Sequence, residues 1–443
     1  MTLTTTFENK YQYSPLLGLG RIRLLRLMPL GKTDHIQCQL FDYPIEETGE
    51  RTCLYEALSY VWGGLDKPRS ISIGGYDLPV TTNLYAALLH LRDQFIERIL
   101  WVDAICIDQD NLIERAQQVQ FMGTIYCKAH RVIVWLGEAL ADDDRALNAI
   151  RIAADEEITK FSTNETNQQA ILDLIQRPWF QRIWVLQEVA AARHVLVMCG
   201  FTEIDGYAFC LGLLSLERSW PDLQNPIRPV IHLIRGSIFR PKYAASSLGV
   251  VSLDIRSLGE LIDMYHTHKA TDPRDKVFAL LNMSSDDPRA AGLLPDYKAS
   301  PEEIFQKLVR FVLGRQVSVK IWGNMEIAAI KSKGCILGRV SMKTGHGDRQ
   351  KVEVTFKDTA GYVGQKKEWI LQVSAKSIQV GDLVCFLQGA SKPMIVRLCR
   401  DYFAVVIIAV TPLTNVGMES GSVSELEQPE TVFLHDFLLV WDW

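Results

Sequence analysis

From about residue 20 to residue 205, short β-branched runs alternate with longer segments of helical spacing, and this rhythm constrains the fold more than any other feature of the chain. Two strands joined through a helix lie parallel, so a βαβ rhythm specifies a layered α/β unit with a mostly parallel sheet and helices on both faces. Ile22–Met28, Ile36–Phe41, Leu54–Val61 and Ile71–Ile73 read as strands, the last followed by the turn Gly74-Gly75. Leu84, Leu88 and Leu91 place a helix over Asn83–Arg92, and Ile99–Ile107 reads as a strand ending in acidic residues. Asp110 caps a helix to about Lys128 with Val119, Met122 and Ile125 facing inward, and Arg131–Leu136 returns as a strand. Polar stretches at Asp142–Asp144 and Ser162–Gln169 mark loops or helix ends, Pro178–Ala192 reads as a helix with an early proline, and Val195–Cys199 as the next strand.

The pattern then changes twice. Over 206–325, helical segments are broken by Pro221, Pro226, Pro229 and Pro241, followed by a turn into a helix at Asp272–Lys276 and a helix at Glu302–Leu313. From 326 the chain is β-like, with strands at Lys351–Phe356, Trp369–Val373, Asp382–Gln388, Met394–Leu398 and Tyr402–Val410. The expected organisation is an α/β domain at 1–205, a mostly helical region at 206–325 and a small β-rich domain at 326–443, in keeping with a length of 443 residues.

Composition narrows the function. Lys plus Arg is 47 against 52 for Asp plus Glu, a net charge of -5, so no global positive field draws the chain to nucleic acid. The apolar stretch Tyr402–Leu413 is too short to span a bilayer as a helix, and Met1–Lys10 lacks the features of a signal peptide. The 9 cysteines form no CxxC pair and several lie in apolar runs, which fits buried thiols in a reducing, cytoplasmic setting. Gly18-Leu19-Gly20 lacks the rest of a dinucleotide fingerprint, and His266-Thr267-His268 lacks a completing Cys or carboxylate cluster. Surface histidines, no metal and no resident cofactor are therefore expected.

Three strings carry chemistry. Tyr55–Gly63 (YEALSYVWG) delivers Ser59, Tyr60 and Trp62 to the carboxyl end of a strand, where open α/β sheets bind ligands; the same residues also suit a core strand and turn. Trp101–Asp110 (WVDAICIDQD) places Asp103 in an apolar run, where a carboxylate must find a partner, and Asp108 at a helix cap; Glu114 and Arg115 beyond it suit a solvated face or an ion network with Asp103. Arg177–Val189 (RPWFQRIWVLQEV) puts Trp184 and Glu188 four apart on one helix face. Such a carboxylate can stabilise positive charge on a sugar ring, or can pair structurally with Arg182 or Arg193.

Together with the segments at 81–92 and 100–138, these strings resemble, in order and spacing, the successive blocks of the fungal heterokaryon-incompatibility (HET) domain. ATDPRDKVFALL (270–281) and VGDLVCFLQGASKPMIVRL (380–398) are similar to later parts of such proteins, although Val406–Thr414 offers no Gly-Glu-Cys-Tyr-type string. The resemblance implies an effector of incompatibility or programmed cell death, working with copies of itself or an allelic partner protein. HET domains in turn resemble TIR domains, which implies a TIR-like, flavodoxin-like sheet and NAD as a substrate. By that likeness Glu188, paired with Trp184, is the catalytic carboxylate and Ser59 and Tyr60 line the nucleotide pocket; Trp62, Asp103, Asp108, Arg115 and Trp184 are expected to bind the substrate beside them. The alternatives are a non-catalytic self-assembling module and a small-molecule tailoring enzyme of secondary metabolism using the same cleft.

Overall fold

The computed structural model describes residues 10–18, 20–31, 35–45, 54–64, 66–155, 165–217, 227–237, 240, 251–322, 327–344, 349–357, 363–372, 376–411 and 435–442. Cys53, Pro221, Pro226, Pro241, Leu19 of the Gly18–Gly20 turn and the start of the polar stretch at Ser162 lie outside them. The chain divides into two units, 1–253 with 295–297, and 254–294 with 298–443.

In the first unit β1 (Arg21–Leu27) and β2 (Gln37–Pro44) pair antiparallel, and β3 (Glu56–Tyr60) follows. β4 (Arg69–Ile73) and β5 (Tyr76–Val80) fold back on each other across Gly74 and Gly75, at φ 61° and 91°, backbone that a two-residue hairpin needs and a side chain resists. The Thr81 hydroxyl caps α1 (Thr82–Leu91), accepting the Leu84 N–H at 3.3 Å. Next come β6 (Arg98–Trp101), the short α2 (Asp103–Cys106), α3 (Leu112–Lys128) and β7 (Arg131–Trp135). α4 (Asp143–Asp155), α5 (Glu165–Ile175), a 3-10 turn at Pro178–Gln181 and α6 (Trp184–Ala191) lead to β8 (Val195–Cys199) and its hairpin partner β9 (Thr202–Asp205). α7 (Gly206–Glu217) and α8 (Arg228–Ser237) complete the unit, with α7 against α4, and α8 against α6.

The nine strands are ordered β5-β4-β2-β1-β6-β3-β7-β8-β9. The contacts β2-β4, β3-β6, β3-β7 and β7-β8 are parallel and the other four antiparallel, so the sheet is mixed, against the expectation of a mostly parallel one. Short connections account for two of these antiparallel contacts: the Gly74-Gly75 turn and the tight link after Cys199 are too short to cross over a sheet and force antiparallel partners. The parallel block is β6-β3-β7-β8, with β3 first in the chain, so the path runs from β3 to one neighbour and then back to the other. Its strands are buried nearly throughout, as those of a sheet covered on both faces are: Val132, Ile133, Val134 and Trp135 of β7 are all 0% exposed.

Three elements depart from the sequence reading. The strand expected over Ile99–Ile107 stops at Trp101, because the Val102 carbonyl accepts the N–H groups of Ile105 (3.0 Å) and Cys106 (2.7 Å) and starts α2. The cap of α3 is Asn111 rather than Asp110: its side chain accepts from the Ile113 and Glu114 N–H groups, both at 3.2 Å. The helix expected over Pro178–Ala192 breaks at Arg182, whose extended ψ of 137° separates the 3-10 turn from α6.

The second unit holds α9 (Leu258–Tyr265), α10 (Asp275–Leu281) and α11 (Pro301–Leu313), the last opened by a Ser300–Glu303 capping box with Pro301 at its first position. Its strands are β10 (Ser318–Trp322), β11 (Ile327–Thr344), β12 (Arg349–Lys357), β13 (Val363–Gln372), β14 (Leu383–Leu387), β15 (Met394–Leu398), β16 (Phe403–Ile407) and β17 (His435–Asp442). The pairings β11-β14-β15-β16-β17-β11 close into a ring, with the hairpin β12-β13 and strand β10 added to β11. Val340, Val354, Val384 and Ile395 form its core. The two histidines expected at the surface are not there: His266 is half-buried and His268 is 6% exposed, its basicity pushed down to about 4 by burial. Among the described residues no helix is long and apolar enough to cross a membrane, and the cysteines are free, with Cys399 alone half-buried and the rest buried.

A buried ion pair ties β1 to α3. Arg23 (2% exposed) donates both outer nitrogens to Glu114, one at 3.0 Å, and also reaches the carbonyls of Cys106 (3.2 Å) and Ser14 (2.6 Å). Glu114 additionally accepts the Asp108 N–H at 2.8 Å, so every charge in the cluster is met. Glu114→Ala strands Arg23 in the interior and is expected to cost about 3–5 kcal/mol, read as a lower urea midpoint, while Arg23→Met with Glu114→Leu costs less than Glu114→Ala alone. A single-variant loss below about 1 kcal/mol would contradict the assignment.

Candidate functional site

Ser59 and Tyr60 end β3, and Glu188 lies in the middle of α6, within the crossover that leads from β7 to β8. The fold brings them into contact: the Ser59 hydroxyl donates to Glu188 Oε2, and Trp179 Nε1 of the 3-10 turn donates to the same Ser59 oxygen at 2.9 Å. All three are interior, at 0%, 2% and 1% exposure for Ser59, Glu188 and Trp179. Serine satisfies the arrangement because its one hydroxyl donates and accepts at once.

A second set lies at the ends of β3 and β6. Trp62 Nε1 donates to Asp103 Oδ2 at 2.8 Å, and Asp103 Oδ1 accepts the Ala104 N–H at 2.8 Å. The Tyr60 hydroxyl is buried beside Asp103 without a partner at ordinary hydrogen-bond geometry. Arg182, in the break before α6, donates to the Tyr60 carbonyl, and its charge acts on both Asp103 and Glu188. Asp103, Trp62 and Arg182 are half-buried, so this set reaches solvent where the Ser59–Glu188 contact does not.

Electrostatics follows from burial. Loss of solvent pushes the Glu188 carboxyl up to about 7, against the Arg182 charge and the Ser59 hydrogen bond, which favour the ionised form; the neighbouring Asp103 adds to the rise. Burial also raises Asp103, again opposed by Arg182 and then by Trp62. The Tyr126 hydroxyl, donating to the Leu58 carbonyl at 3.2 Å, is held well above its ordinary range by burial and then by the nearby Glu188.

The strand ends are scaffolded by polar side chains. Asn83 donates to the Val61 carbonyl at 2.6 Å and accepts from Trp135 Nε1 at 3.0 Å. Arg177 donates to the Leu136 carbonyl at 2.7 Å and pairs with Asp143. Gly137 between them sits at φ 110°, and a Cβ there would lie 2.9 Å from the Arg177 guanidinium, so glycine is required.

Of the residues singled out from sequence, Ser59, Tyr60, Asp103, Trp62 and Glu188 gather at the ends of β3 and β6 around Arg182. Trp184 is half-buried in the first turn of α6, and the indole that joins the Glu188 chain is Trp179. Asp108 accepts the Asp110 N–H at 3.3 Å in the turn before α3, and Arg115 lies over the Tyr297 ring, 3.8 Å from its centre. Sequence reasoning missed Trp179, Tyr126 and Asn83. Trp179 was findable as the aromatic after the helix-starting proline, whereas nothing local marks Tyr126 or Asn83.

Because burial raises its pKa in the fold, Glu188 holds in the native state a proton that the unfolded chain releases at its ordinary value of 4.5. The contribution of this carboxyl to stability is therefore fully present below 4.5 and is lost as pH rises through about 7. Glu188→Gln should flatten that decline, measured as the difference in urea midpoint between wild type and variant at about pH 5 and about pH 8. Parallel profiles for the two proteins would show that Glu188 is already ionised in the fold.

The family model of the heterokaryon incompatibility protein (HET) matches residues 55–188, a span that begins just before β3 and ends on Glu188. Heterokaryon incompatibility protein 6, OR allele, of Neurospora crassa is 26% identical over 378 aligned residues, covering 71% of this chain and 55% of that protein. The chain thus spans about half the length of this relative. No solved structure matches it. The matched span encloses both partners of the Ser59–Glu188 contact, so residues 55–188 of the chain match the HET domain.

Proposed function

We propose that the chain acts in heterokaryon incompatibility, as an effector of self/non-self rejection and cell death, and that its HET domain does so by cleaving the nicotinamide–ribose bond of NAD+. The first half rests on the HET match and on the name of the Neurospora crassa relative. The second rests on the buried Ser59–Glu188 contact at the end of β3. Within the parallel block the order β6-β3-β7-β8 is second-first-third-fourth, the flavodoxin-like order, whose ligands sit at the carboxyl ends between its first and third strands. Those strands are β3 and β7.

The chemistry asks little of the protein. NAD+ plus water gives nicotinamide, ADP-ribose and a proton. Nicotinamide departs from its pyridinium form with the bonding electron pair, so no strong general acid is needed. Positive charge builds on the ribose, and the ionised Glu188 carboxylate opposes it in a site of low dielectric. Ser59, fixed by the Trp179 N–H, holds one carboxylate oxygen in place. A second reading is favoured by one observation: Glu188 is 2% exposed, as it would be in a module that signals by assembling with copies of itself or an allelic partner rather than by catalysis.

Nicotinamide release from NAD+ should be measured with the free chain and with the chain tethered at high density on beads. The rate is expected to rise with pH as Glu188 loses its proton near about 7, and Glu188→Gln to lower it by about 100-fold or more. An unchanged rate in Glu188→Gln would remove this residue from the mechanism. Fungal cells killed by that variant at constant NAD+ would favour assembly over catalysis.

A further inference from the structure

The set that reaches solvent at the ends of β3 and β6 is incompletely used by the protein itself. Asp103 accepts one hydrogen bond on each oxygen, from Trp62 and from its own helix, leaving a lone pair on each. The Tyr60 hydroxyl beside it is 2% exposed and close enough to act on the Asp103 carboxylate, but it makes no hydrogen bond of ordinary geometry. Among the described residues the Arg182 guanidinium makes one hydrogen bond, to the Tyr60 carbonyl, although it carries five N–H donors. Buried polar groups are rarely left unmatched, so a hydroxyl and a carboxylate with spare capacity side by side mark a place for a ligand that donates and accepts.

The ligand chemistry follows from the groups. Two adjacent hydroxyls of a sugar can donate together to one carboxylate, the way acidic side chains hold ribose in dinucleotide sites. A guanidinium in reach of the same sugar suits a phosphate through paired N–H groups. We propose that Asp103, Tyr60 and Arg182 form a subsite for a ribonucleoside 5′-phosphate, with the ribose diol on Asp103 and Tyr60 and the phosphate on Arg182. The assignment rests on the reading of this end of the sheet as the NAD+ site, and it names the group that selects the substrate: the 2′,3′-diol. If Asp103 only held the first turn of α2 through the Ala104 N–H and Arg182 were only a strut for the β3 carbonyl, sugar hydroxyls would make no difference to binding.

The test is titration calorimetry of the full chain with AMP and with 2′,3′-dideoxy-AMP. Wild type is expected to bind AMP about 10-fold or more tightly than the dideoxy compound, as for hydrogen bonds to a charged group. In Asp103→Asn the amide oxygen can still accept from Trp62, so the thermal midpoint should hold while the preference falls to within about 2-fold. Arg182→Lys should weaken both nucleotides alike, since it acts on the phosphate. Equal binding of the two nucleotides by wild type, no AMP binding up to about 10 mM, or a preference retained by Asp103→Asn would each overturn the subsite. Nicotinamide release separates the two readings. No release with the diol preference intact removes cleavage and leaves the subsite, whereas wild-type kinetics in Asp103→Asn removes the subsite and leaves cleavage.

Discussion

The contact between Ser59 and Glu188 joins two segments 129 residues apart and closes the crossover helix α6 onto the end of β3. A carboxyl in a hydrocarbon interior is costly unless hydrogen bonds replace its water. The chain from Trp179 through Ser59 supplies them, and Arg182 supplies a charge of opposite sign nearby. The residue that results is neither a surface carboxylate nor a fully neutralised one. Its proton is shared out by burial on one side and by Arg182 on the other, which keeps it responsive near neutral pH.

The surrounding architecture is arranged so that this contact can form. β3 is first in its parallel block, with its successors on opposite sides, so two chain crossovers open away from each other at its carboxyl end. The break at Arg182 is what turns the 3-10 turn and α6 into separate pieces, bringing Trp179 and Glu188 to the same serine. The buried Arg23–Glu114 pair performs the corresponding task between β1 and α3, holding the turn at Asp108 through its backbone N–H. Two ion clusters thus brace the unit, one closed and fully matched, the other left with capacity to spare.

The strands of the parallel block were legible because strands buried on both faces are written as unbroken β-branched runs; Arg131–Leu136 is such a run and forms β7. The sheet's mixed character was harder to see, since hairpin turns such as Gly74-Gly75 were read as punctuation and not as a reversal of direction. β11 escaped detection for a different reason. It runs 18 residues with register shifts near Ile336 and Val340, and shares its length among several partners, so no single alternation of polar and apolar residues persists along it. Within the site, Asp103 stood out as a polar group in an apolar run, Ser59 by its place at a strand end, and Glu188 by its spacing from Trp184. The tryptophan that serves them did not, because spacing on an unbroken helix favours Trp184, and only the backbone at Arg182 shows the helix to be broken. Asp108 and Arg115 were drawn in by their string, while their contacts belong to the turn before α3 and to the Tyr297 ring.

Everything in the site turns on whether the Glu188 carboxyl exchanges its proton inside the fold near neutral pH while held by Ser59. Infrared difference spectroscopy reads this directly: the spectrum of the wild-type chain minus that of Glu188→Gln, followed as pH is raised. A buried protonated carboxyl stretch is expected in mildly acidic buffer, converting to carboxylate bands around 7 and moved in frequency by Ser59→Ala. Carboxylate bands with no protonated stretch down to about pH 5, the behaviour of an ordinary solvated glutamate, would contradict it.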